Sequence, residues 1–263
     1  MTDPTALAPV PGVVDLHDRL RAGETLYGSF VGLASSVATE LVARAGFDWL
    51  IIDLEHGAGT ESELLGQLHA TGTTRTAALV RPQSGERLRI GRALDLGTHG
   101  IMVPRVDLPE QAREAVSFMR YPPDGVRGLA LSTRGAGMSE LGHGEMPAVN
   151  RRILGIIQVE SPSAVEHAGE IAAIDGVDVL FVGPTDLSHS LGIPGRFDDA
   201  RYLDALRAVT GATEAAGKTA GILLFDPTAI ARHRDLGFRF IGLGSDGAYV
   251  ASGARAMLAA ARA

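Results

Sequence analysis

The sequence predicts a (β/α)8 barrel, on three observations. Short apolar runs recur eight times along the chain, a helix-start signal follows several of them, and glycines mark the helix ends before the next run. The length of 263 residues suits one such domain, and 1–263 reads as a single barrel with a loose, proline-containing segment over 1–12.

Taken in order, the runs are 28-GSFVG-32, 49-WLIID-53, 77-AALVR-81, 100-GIMVP-104, 153-ILGIIQVE-160, 178-DVLFVG-183, 220-AGILLF-225 and 238-FRFIGLG-244. Most are apolar throughout, as strands covered on both faces should be. Thr60 with Glu63, and Asp107 with Glu110, have capping-box spacing. Ser161-Pro162 and Asp226-Pro227 set a capping side chain before a proline at the first helical position. Gly46, Gly72, Gly97, Gly176, Gly217 and Gly237 fit the left-handed residue that ends a helix. The rival fold, a doubly wound open sheet, is weakened because no Gly-rich dinucleotide turn follows the first strand, which also argues against a nucleotide cofactor. The connection 121–151, rich in Gly, Pro and Arg, is long enough to be functional or to pack on another subunit.

Composition narrows the function. A net charge of −7 with no basic block argues against nucleic acid as a partner. No apolar run reaches the roughly 18 residues needed to span a bilayer, and no signal-peptide pattern opens the chain, so a cytoplasmic location is expected and a membrane partner is not. The absence of cysteine excludes thiolate metal sites and cysteine nucleophiles. The single lysine, Lys218, precedes the seventh run, at the wrong end of a barrel for Schiff-base chemistry.

Polar residues gather at the C-terminal ends of the runs, the face where such barrels place active sites. Glu55 and His56 follow the second, Arg81 ends the third, Gln158 and Glu160 lie on one face of the fifth, and Asp186 follows the sixth in 183-GPTDLS-188. Two carboxylates at the ends of adjacent strands, about 4.8 Å apart, can share a hard divalent cation. A single such carboxylate is more often a cap or a solvated loop residue; the pairing of Glu160 with Asp186 points to metal. His56, alone a packing or surface histidine, becomes the best base candidate beside Glu55 and Arg81. The other histidines are read as structural, His189 least securely. The run 242-GLGSDG-247 fits a phosphate-binding turn or a plain turn, and the plain turn is favoured.

The segments 48-DWLIIDLEHG-57, 79-LVRP-82, 100-GIMVPRV-106, 120-RYPPDGVRG-128, 157-IQVES-161 and 178-DVLFVGPTDLSHSLG-192 together resemble the HpcH/HpaI aldolases, metal-dependent 2-oxo-acid aldolases of the pyruvate/phosphoenolpyruvate barrel superfamily. The resemblance spans about residues 20–255. It implies reversible cleavage of a 4-hydroxy-2-oxo acid to pyruvate and an aldehyde, with Mg²⁺, Mn²⁺ or Co²⁺ held by Glu160 and Asp186. It implies His56 as the base, made more basic by Asp95, and Arg81 as the group that stabilises the enolate. Gln158 and the backbone of Gly183, Pro184 and Thr185 would hold the oxo acid, with Phe30 and Leu223 also facing substrate. Glu55 would bind metal-bound water, and Asp53 would support the site. Arg127 would reach a neighbouring subunit's site. Phe30 stands where relatives often have tryptophan, Thr185 where they often have alanine and Leu54 where some have glycine, which leaves the aldehyde pocket open. A hexamer of paired subunits is implied, with the C-terminal helix, about 247–263, exchanged between partners. A CoA-ester lyase or an oxaloacetate decarboxylase on the same site is the nearest alternative, and a barrel that only binds a metabolite is a more distant one.

Overall fold

A computed structural model describes residues 16–263; the expected loose segment 1–12 lies outside the described residues. Eight parallel strands close into a barrel in simple sequential order: β1 (Leu26–Val31), β2 (Trp49–Asp53), β3 (Ala77–Arg81), β4 (Gly100–Val103), β5 (Leu154–Val159), β6 (Val179–Val182), β7 (Thr219–Leu224) and β8 (Phe238–Ser245). Each coincides with one of the eight apolar runs to within a few residues. Among the described residues, no helix is long and apolar enough to cross a membrane.

The side chains alternate between two cores. Leu50, Ile52, Ala78, Val80, Ile157 and Val159 face outward and pack under the helical ring. Trp49, Ile51, Ala77, Leu79, Leu154, Ile156, Val179, Phe181 and Phe240 face inward and fill the barrel. Because the side-chain period along a strand is two, each inward row continues upward into the mouth. Trp49 and Ile51 lead to Asp53, Ala77 and Leu79 lead to Arg81, and Leu154 and Ile156 lead to Gln158 and then Glu160.

An aromatic plug sits beneath the mouth. Trp49 stacks on Phe240 with ring centroids 4.0 Å apart, and Phe181 sets an edge against both at 6.3 Å. Gly28 is Trp49's partner in the β1–β2 register, and a β-carbon there would overlap the indole ring. The bottom is closed by the short helix Leu16–Arg21, whose Leu16 and Leu20 join the interior cluster.

The caps divide. Thr60 and Glu63 form the expected capping box on helix Glu61–Thr71, and Ser161 and Asp226 cap as expected. Asp107 does not cap: its carboxylate accepts from Ser161 Oγ, while Gln111 Oε1 reaches back to the amides of Asp107 and Leu108 ahead of helix Pro109–Met119. Five of the six expected helix-ending glycines have positive φ; Gly72, at φ −61°, does not, because its helix ends in a right-handed turn. The connection 121–151 folds on itself around Tyr121, Met146 and Val149, with Asn150 pinning the Tyr121 backbone through both its N–H and its C=O.

The packing predicts a contrast between two glycines. Gly28→Ala should lower stability by about 1–3 kcal/mol through overpacking. Gly91→Ala, inside helix Arg87–Asp95 with open space around the added methyl, should raise it by roughly 0.5–1 kcal/mol. Denaturant unfolding of both variants is the check.

Candidate active site

The mouth is organised by Arg81. Parallel pairing of β2 with β3 sets Asp53 directly opposite Arg81, and the guanidinium forks onto the carboxylate, Nε to Oδ1 at 2.9 Å and Nη2 to Oδ2 at 2.7 Å. Both side chains are buried. The remaining nitrogen, Nη1, faces the site. It lies 3.1 Å from Glu55 Oε2 and donates to Gln158 Oε1 at 3.5 Å, and the guanidinium sits over the Phe30 ring, 5.2 Å from its centroid. Asp53 does more than pair with Arg81. Its Oδ1 also accepts from the amides of Glu55 and His56, at 3.1 and 3.3 Å, which fixes the turn that carries those two residues. The supporting role expected of Asp53 thus has a definite geometry.

Glu160 sits one residue past β5 and is buried. Gln158 Nε2 donates to its Oε1, and the amide of Arg105 also bonds it. Arg105 adopts a left-handed backbone, φ 54°, that a non-glycine residue enters rarely. Burial, reinforced by the nearby carboxylates of Asp186 and Glu55 and only partly countered by Arg81, raises the Glu160 carboxyl from 4.5 to about 7. Gly183 follows β6 and precedes helix Pro184–Ser190, and a β-carbon there would come within 2.6 Å of Glu160 Oε1. Pro184 is buried, whereas Thr185 and Asp186 are exposed in the first turn of that helix. Phe30 and Leu223 meet across Gly242 and line the opposite wall.

His56 stands at the rim. Its side chain is 66% exposed, with Nε2 3.8 Å from Glu55 Oε2. The structure does not bring Asp95 to it. Asp95 ends helix Arg87–Asp95, which runs back from the mouth, and the chain then enters β4 from its N-terminal end at Gly100. Asp95 instead accepts from Arg127 Nη2 at 3.0 Å. Arg127, expected to reach outward to a neighbour, is buried in its own chain, with its guanidinium carbon 4.3 Å from the Tyr121 ring centroid. The GLGSDG turn takes the plain form. The buried Asp246 carboxylate accepts from the amides of Gly32, Leu33 and Gly247 and so fills the space an anion would occupy. Lys218 precedes β7, away from the mouth. His189 is exposed on helix Pro184–Ser190.

Two features escaped the sequence. The Arg105 amide has no sequence signature, because a positive φ at a non-glycine residue is set by its surroundings. The Asp53–Arg81 register was open to inference, since both residues end neighbouring apolar runs.

A sequence profile of the HpcH/HpaI aldolase/citrate lyase family matches residues 26–253. The chain belongs to this family. It is 41% identical over 227 residues to a hydroxypyruvate/pyruvate aldolase of Delftia acidovorans, covering 86% of this chain and 84% of that protein. It is 35% identical to a 4-hydroxy-2-oxo-heptane-1,7-dioate aldolase of Salmonella arizonae, covering 92% of each. A family member of known structure from Burkholderia cenocepacia J2315 superposes with a TM-score of 0.89 at 35% identity, covering 94% of this chain and 99% of that one.

The raised Glu160 carboxyl has a consequence for stability. Between about pH 4.5 and 7 the folded chain holds a proton that the unfolded chain has released. This contribution is therefore complete below the lower value and lost as pH rises through the upper one. The metal-free protein should lose up to about 3 kcal/mol across that window from this group, and Glu160→Gln should flatten the slope. Urea unfolding at a series of pH values is the measurement.

Proposed function

We propose that the chain is a divalent-metal-dependent aldolase that reversibly cleaves a 4-hydroxy-2-oxo acid into pyruvate and an aldehyde. One observation carries the reading: Arg81, Gln158 and Glu160 converge from inward-facing rows at the mouth, with His56 at its open rim. The names of the relatives support pyruvate as the fragment released.

The donor set fits a hard cation. Glu160 is crowded by Asp186 and Glu55 with Arg81 as the countering charge, so the pocket carries an excess of carboxylate. Among the described residues no three His, Asp or Glu side chains form a ready metal cage, and two carboxylates leave other positions for water and substrate oxygens. Glu160 and Asp186 would hold the ion, with Glu55 near its water; when bound it supplies Lewis-acid polarisation of the 2-oxo group.

The chain's own residues do the rest. His56 takes the proton of the C4 hydroxyl as the C3–C4 bond breaks. The electron pair of that bond passes to the oxo-acid fragment as the enolate, and the electrons of the broken O–H bond form the C=O of the aldehyde at C4. Arg81 Nη1 faces the developing negative charge while Asp53 holds the guanidinium still. A proton returned to C3 gives pyruvate. Gln158 and the start of helix Pro184–Ser190 orient the oxo acid. Asp95 has no part in this relay within one chain, and Glu55 is the carboxylate beside His56.

His56→Ala should cut retro-aldol turnover by about 10²–10⁴. It should spare decarboxylation of oxaloacetate, which reaches the same enolate without a hydroxyl proton to remove. Chelation should abolish both. Pyruvate release measured on both substrates is the check; equal loss on the two would reject His56 as the C4-hydroxyl base.

We also propose that the chain assembles with copies of itself. Helix Asp246–Arg262 is exposed along most of its length, including Val250, Met257 and Leu258, and helix Ser36–Arg44 exposes Val37 and Leu41. Exchange of the C-terminal helix within a hexamer would cover these groups. Light scattering should give a hexamer mass, reduced when Met257 and Leu258 are replaced by Glu; a monomer at micromolar concentration would reject the assembly.

A further inference from the structure

The mouth of the barrel is chemically divided. Its polar half is built from the ends of β2, β3, β5 and β6, which supply Asp53, Glu55, Arg81, Gln158, Glu160 and Asp186. Its other half is built from the adjacent strands β7, β8 and β1. No Arg, Lys or His occurs in residues 26–36, 219–229 or 240–250, which span the ends of those three strands. The two acids there are engaged in local bonds: Asp226 accepts from the Thr228 amide, and Asp246 from Gly32, Leu33 and Gly247.

The apolar half has a defined surface. On β7, Ala220, Ile222 and Leu224 belong to the outer core. Gly221 lies against the Phe181 ring, and Leu223 packs on the interior cluster and meets Gly242. The inward row is therefore Gly221, Leu223 and then Phe225, one residue past the strand. On β5 the same alternation carries Glu160, also one residue past its strand, into the site. Phe225 is 62% exposed. An aromatic ring left open to water at a catalytic mouth gains most by being covered with apolar surface.

We propose that Phe225, with Leu223 and Phe30 below it, seats the substituent of the aldehyde and selects aldehydes with an uncharged apolar chain over those ending in a second carboxylate. The inference rests on the pyruvate-aldolase reading and gives it a substrate class. The polar half holds the pyruvate portion, and the aldehyde carbon lies between the halves. A chain extending from that carbon onto the β7–β8–β1 side meets hydrocarbon and no cation from those three strand ends; Arg81, over the Phe30 ring, is already paired with Asp53 and Glu55. An apolar substituent buries Phe225 there, whereas a terminal carboxylate loses water without gaining an unpaired cation from the ends of β7, β8 and β1.

The test runs in the synthetic direction, with the intact protein, saturating Mn²⁺ and pyruvate. Hexanal and benzaldehyde are compared with succinic semialdehyde. The wild type should favour the apolar aldehydes by at least about tenfold in kcat/KM, the scale set by a few methylenes in an apolar site. Phe225→Ala should bring that ratio toward unity, chiefly through the KM of the apolar aldehyde, and Phe225→Arg should invert it. Phe225 is exposed and outside the core clusters, so both variants should keep the wild-type thermal melt, which is measured for each. A wild type that prefers succinic semialdehyde, or a ratio unmoved in Phe225→Ala, overturns the seat. Exchange of the pyruvate methyl protons with deuterium needs no aldehyde and reads the underlying reaction separately. Exchange without aldehyde preference rejects the seat alone. Absence of exchange rejects the pyruvate-aldolase reading and the seat with it.

Discussion

The buried ion pair between Asp53 and Arg81 is the constraint on which the mouth of this barrel depends. A guanidinium removed from water needs a partner in good geometry, and the β2–β3 register supplies one directly opposite. The same carboxylate ties down the amides of Glu55 and His56, so one side chain sets both the enolate-facing arm of Arg81 and the turn that presents the base. A one-residue slip of either strand would turn its whole row into the helical layer, placing a charge in the outer core. Register and active-site geometry are thus the same requirement.

Above this pair the charge balance leaves room for a cation. Arg81 is shared among Asp53, Glu55 and Gln158, and Glu160 remains raised toward neutrality by burial and its acidic neighbours. The aromatic plug of Trp49, Phe181 and Phe240 gives the site a rigid floor. Asp53, Arg81 and Gln158 sit on the strands themselves, and Asp53 ties down the turn that carries Glu55 and His56, which suits groups that must hold their positions within a fraction of an ångström.

The fold was legible because its signals are local and repeated. Each of the eight apolar runs became a strand, and Thr60 with Glu63 formed its box. The misreadings also have local causes. Asp107 has the spacing of a cap, but Ser161 on a different βα unit, distant in sequence, takes its carboxylate. Gly72 ends its helix without needing a left-handed turn. Asp95 and Arg127, whose roles came from resemblance, stand apart from these: within one chain they pair with each other. The GLGSDG turn was ambiguous because the carboxylate that takes the amides there, of Gly32 and Leu33 after β1 and of Gly247, is Asp246 of the motif itself.

By itself the sequence determined the repeating unit, the inward rows and the residue types that end them, because a period of two along a strand and caps at helix starts are encoded within a few positions. It determined the absence of a Schiff-base lysine at the mouth as well. The tertiary structure alone decided which strand ends face one another, that Asp53 holds both Arg81 and the His56 turn, that Arg105 turns its amide to Glu160, and that the mouth has one polar and one apolar half. These depend on register and closure between segments distant in sequence, and such long-range geometry carries no local signature.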